Sequence, residues 1–179
     1  MDMKKAVRTI TLRAGLSLGL VLAVTEIVFG IVLYFLRPVM NDFINAGKQD
    51  PMVLLPLITA WIALFILMLA MYFACGMFVA KWLAPLPLRS LDIAAYGAAA
   101  GAVAELIRST VAIIIEFIIS YVSPLAGVES ADMLSVALLN TGIRLVCGVP
   151  TLVILAAVVA GVSAYLFSII FFRPENAPK

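Results

Sequence analysis

The sequence predicts an all-α integral membrane protein, and three observations carry that prediction. Of its 179 residues, 65% are hydrophobic and 12% charged, whereas a soluble domain is about half apolar and about a quarter charged. The mean hydropathy is +1.18. Four apolar segments, at about 15–36, 53–80, 93–122 and 147–172, each exceed the roughly 20 residues needed to cross a hydrocarbon core. The chain is therefore expected to form a single membrane domain over 1–179, with four transmembrane helices and a short extra helix on the outer side before the last span.

Each break between segments has ordinary turn chemistry. Pro38, Asn41, Asp42, Gly47 and Pro51 mark the first. Pro85, Pro87 and Asp92 mark the second, and Ser123, Pro124, Gly127 and Ser130 the third. These residues favour turns through fixed φ, local side-chain hydrogen bonds or freedom at positive φ. The first segment follows a basic stretch, but it is too long for a signal peptide and lacks a small-residue cleavage site. It is expected to remain as a span.

Segment 131–145 is ambiguous. Ser130 is a candidate N-cap, and Met133, Val136, Ala137, Asn140 and Arg144 fall at helical spacing. Joined to the last span it would make a helix of roughly 60 Å, twice the hydrocarbon thickness. Gly148 and Pro150 are expected to break or kink it. The segment is read as an outer helix that partly dips into the bilayer.

Basic residues orient the bundle. Lys4, Lys5, Arg8 and Arg13 precede the first span, Lys81 and Arg89 flank the second break, and Arg173 and Lys179 follow the last span. The opposite side holds Arg37 and Lys48. The positive-inside rule then places both termini in the cytoplasm of a multi-pass cell-membrane protein.

Five ionisable residues fall in or beside these apolar segments: Glu26, Glu105, Arg108, Glu116 and Arg144. A charge near the bilayer centre costs at least ~2.5–3.5 kcal/mol on insertion scales. At about 100° per residue, Arg108 sits about 60° from Glu105, and Glu116 returns to within about 20°. One face of the third segment is therefore polar. Depth pairs Glu26 or Glu105 with Arg108, and Glu116 with Arg144. Three acids against two bases leave one surplus carboxylate, with Glu105 and Glu116 the leading candidates.

Small residues line the helix faces that carry these charges. Gly15 and Gly19 recur at four-residue spacing in the first segment, Gly97 and Gly101 in the third, and Ala157 and Gly161 in the fourth. Such stripes let helix backbones approach closely in a membrane. Glu105 follows Gly101 by four residues and Glu26 follows Gly19 by seven, so the charges point into the bundle.

Composition also narrows the chemistry. With no histidine, Ser-His-Asp and Cys-His catalysis, His-ligated haem and HExxH zinc sites are excluded. Cys75 and Cys147 are isolated, form no CxxC, and are expected to pack as small hydrophobes. No metal or other cofactor is implied. A net charge of +2 gives no sign of nucleic-acid binding. The expected role is a non-enzymatic subunit or scaffold that packs against other membrane proteins, or itself, within the lipid bilayer. The alternative is a small oligomeric transporter or channel using Glu105, Arg108 and Glu116.

Overall fold

The computed structural model describes residues 3–45, 51–122 and 133–170. They are helical except for the turn that joins the second and third helices. Helix α1 spans Met3–Asn45, α2 Pro51–Leu83 and α3 Ser90–Val122. Helix α4, Met133–Ile143, passes through a π-helical segment, Arg144–Gly148, into α5, Val149–Ile170.

The turn between α2 and α3 follows from its prolines. The Leu86 N–H donates to the Leu83 carbonyl at 2.9 Å, and Pro85 and Pro87 cannot continue a helix. The Asp92 carboxylate then accepts the Arg89 backbone N–H at 3.2 Å. It lies in the first turn of α3, where negative charge also complements the helix dipole.

Helix α3 is the centre of the bundle. Its most extensive packing is against α5 and α1, and it also touches α2 and α4. The α1 contact is parallel: Gly15 lies on Ala100 and Val103, and Gly19 on Ala104 and Ile107. The α5 contact is antiparallel: Gly97 faces Ala164 and Ala160, and Gly101 faces Ala160 and Ala156. Gly161 packs in turn on Ala94 and Ala98, while Ala157 is half-buried. A Cβ on Gly101 would lie 2.5 Å from the Ala156 carbonyl oxygen, and one on Gly76 of α2 2.1 Å from that of Ala160. Only glycine permits those approaches. Ser163 of α5 adds a hydroxyl that donates to the Phe73 carbonyl of α2 at 2.6 Å.

Among the described residues, three helical stretches are long and apolar enough to cross a membrane: Met3–Leu36, Ile58–Leu83 and Leu134–Ile170. Their flanks are largely apolar. Leu20, Phe35, Leu139 and Val146 are 62% to 75% exposed, and from Ile58 to Leu67 every residue except the half-buried Leu64 is exposed. Apolar surface on that scale fits a membrane protein, since water-soluble monomers rarely expose contiguous apolar patches beyond a few hundred Å².

Three sequence expectations are corrected. Pro38 does not end the first helix: α1 continues through it to Asn45, although Pro38 withholds one backbone donor. The helix that carries the apolar segment 15–36 begins near Met3, so the basic residues Lys4, Lys5, Arg8 and Arg13 are helical too. Gly148 and Pro150 do not break the helix between segment 131–145 and the last span. The chain stays helical because the Val149 N–H donates to the Arg144 carbonyl, one residue beyond the α register. That wider turn sits just ahead of Pro150, whose ring would crowd the Val146 carbonyl in a regular α-helix. Finally, Cys147 is exposed, while Cys75 is buried. Gly47, Lys48, Ser123, Pro124, Gly127, Ser130, Arg173 and Lys179 lie outside the described residues.

Candidate functional site: a buried charge network

Four helical segments contribute to one chain of polar contacts. At its deep end is Glu105 of α3, whose side chain is 1% exposed. Its Oε1 accepts Arg108 Nη2 at 2.7 Å and the Ser109 hydroxyl at 2.6 Å. Its Oε2 accepts Arg108 Nε at 2.8 Å and the hydroxyl of Tyr72 from α2. The carboxylate is thus gripped by a bidentate guanidinium and two hydroxyls, the arrangement that best offsets burial of a charge.

Arg108 carries the network onward to α1. Its side chain is 4% exposed, and its Nη1 donates to Glu26 Oε2 at 2.7 Å. The other oxygen of Glu26 lies 3.7 Å from Arg144 Nη2 in the π-helical segment. Arg144 Nη1 in turn donates to Glu116 Oε2, back on α3. Exposure rises along this path, from Glu26 at 14% to Arg144 at 27% and Glu116 at 37%. Glu116 stands eleven residues beyond Glu105 on α3, or about 16 Å along the axis.

Local sequence explains this placement. Glu105, Arg108 and Ser109 fall at i, i+3 and i+4, so one helix face gathers them. Gly19 lets α1 sit against Ala104, which brings Glu26 to the level of Arg108. The π segment widens the last helix at Arg144 itself.

The structure joins all five charged residues singled out from the sequence, with Glu26 and Glu105 both on Arg108 and Glu116 on Arg144. It adds Tyr72 and Ser109. Ser109 had a signal, its i+4 spacing from Glu105. For Tyr72 the signal was weaker: a phenol in the middle of an apolar segment, whose hydroxyl needs a partner when buried.

Apolar grooves lie beside the network. One of about 330 Å³ runs between α1 and α2, lined by Leu18, Met71, Cys75, Phe78 and Trp82 among others. Another of about 240 Å³ lies between α1 and α3, at Gly30, Tyr34 and Ile115. Among the described residues, no group of three or more His, Cys, Asp or Glu side chains is arranged to hold a metal ion. No protein-family model, curated protein or solved structure matches the chain.

Proposed function

We propose that this chain is a non-enzymatic subunit or scaffold of the cell membrane, crossing it four times with both termini in the cytoplasm. In this reading α3 is the fourth span. It lies among the three helices that are apolar enough to cross on their own, and its charges are tolerable because those neighbours cover them. Lys4, Lys5, Arg8, Arg13, Lys81 and Arg89 then share the cytoplasmic side.

One observation supports a packing role over a transport role: the deep charges close on one another. Glu105 and Arg108 are 1% and 4% exposed and hydrogen-bond directly. A permeation or coupling site needs a carboxylate that can exchange its partner for an ion or proton. Below the network, toward the α2–α3 turn, the helices meet at Gly76, Gly97 and Gly101 with their backbones against Ala156, Ala160 and Ala164. Backbone contacts that close leave little width for a path. The charges then fix the register of α1, α2, α3 and the π segment, a role known for some buried polar groups. The aliphatic outer faces remain for neighbouring membrane proteins.

Ion and proton flux in proteoliposomes tests this reading. Wild type and Glu105→Gln are both expected to leave pH and membrane-potential gradients as stable as protein-free vesicles do. A wild-type flux that Glu105→Gln abolishes would replace the subunit reading with the transporter alternative.

A further inference from the structure

We infer that the flank around Glu116 and Arg144 is a docking face for a transmembrane helix of another protein, and that this helix carries a lysine or arginine at the level of Glu116. The inference rests on the subunit reading and names the chemistry of the partner.

The charge balance of the network is the first argument. Among the described residues, Glu26, Glu105 and Glu116 share the two guanidiniums of Arg108 and Arg144. Glu105 is saturated by four donors. The connected network therefore carries one excess negative charge, spread over Glu26, which binds Arg108 and lies 3.7 Å from Arg144, and Glu116, which binds Arg144. The network reaches the outside of the bundle at Glu116, the most exposed of the five at 37%. Lipid chains cannot compensate a partly exposed carboxylate, whereas a cationic side chain can.

The surface around it is built for a helix. On the last helix Asn140, Arg144 and Cys147 follow one another at helical spacing, and Asn140 and Cys147 are exposed. Beside them Leu139, Ile143 and Val146 form an exposed aliphatic ridge, at 56% or more for each. At Gly142 an added Cβ would meet nothing within 4 Å among the described residues. A ridge of large aliphatics beside a polar stripe matches an apolar helix with one polar residue.

Charge also argues against a second copy of this chain as the occupant. A two-fold contact through this face would bring two like patches together, each with an excess carboxylate.

Full-length protein in lipid vesicles, tagged with a donor dye at its terminus, provides the test. Acceptor-labelled peptides of about 20 leucines and alanines carry one lysine at the depth of Glu116, or leucine, glutamate or acetyl-lysine in its place. The lysine peptide is expected to associate roughly 3- to 20-fold more tightly than the leucine peptide, the span of measured interhelical polar contacts. The acetyl-lysine and glutamate peptides are expected to lose that gain, as is Glu116→Gln paired with the lysine peptide. Equal association of the lysine and leucine peptides overturns the cationic partner while leaving the subunit reading in place. So does a preference that survives lysine acetylation, or self-association of the chain that excludes every peptide. The acetyl-lysine arm leaves the protein unaltered, so its result does not depend on whether Glu116→Gln folds.

Discussion

Replacing Arg108 with leucine probes the network at its hub. The guanidinium binds Glu105 at 2.7 and 2.8 Å and Glu26 at 2.7 Å. After the substitution Glu26 still has Arg144 at 3.7 Å. Glu105 keeps only the hydroxyls of Ser109 and Tyr72. Stranding a buried charge in this way costs about 3–5 kcal/mol. The expected loss is therefore about 3–5 kcal/mol. Adding Glu105→Gln to Arg108→Leu removes the charge left without its partner. The double variant is expected to regain about 2–3 kcal/mol. Reversible unfolding in mixed micelles, with detergent composition as denaturant and the fluorescence of Trp61 and Trp82 as signal, gives both numbers. An Arg108→Leu cost below about 1 kcal/mol would refute the assignment of Arg108 as the partner that makes Glu105 tolerable.

The helix contacts and the remaining polar partners give further tests by the same unfolding assay. Gly76→Ala sets a Cβ 2.1 Å from the Ala160 carbonyl oxygen and is expected to cost about 1–3 kcal/mol or more. Gly142→Ala meets nothing within 4 Å and is expected to stabilise by about 0.5–1 kcal/mol, from helix propensity alone. Tyr72→Phe removes one hydroxyl from Glu105 and is expected to cost about 1–2 kcal/mol without loss of helix content by circular dichroism. The Cys75 thiol, 4% exposed, is expected to react with a small maleimide only as the bundle unfolds. Labelling of folded protein at that cysteine would contradict the α2 packing.

Much of this arrangement could be read from sequence because the bilayer is a demanding solvent. Apolar length marks the helical stretches, and the cost of an intramembrane charge demands a partner at its own depth. Depth counted along the chain was enough to pair Glu116 with Arg144 across 28 positions. The helix boundaries were less legible. Pro38 and Pro150 carry strong local signals against a helix, yet neighbouring turns absorb both, the second by widening into a π segment. Tyr72 was missed because its contact depends on the rotation of α2 against α3, which the near-uniform apolar sequence of α2 does not encode. Gly76 against Ala160 and Ser163 against Phe73 fix how α2 sits on α5, and α5 in turn packs on α3, features visible only once the helices are assembled. The exposure of Cys147 was hidden for a related reason. Its side depends on the register shift inside the π segment.

The central claim is that the chain works as a partner to other membrane proteins and not as a lone carrier. Native mass spectrometry of the chain, extracted from its own membranes in mild detergent, tests it most directly. The account predicts a defined complex in which this 19.2 kDa chain is held in fixed stoichiometry with at least one other integral membrane protein. A chain released alone or only as copies of itself, and competent for ion flux after reconstitution, would contradict it.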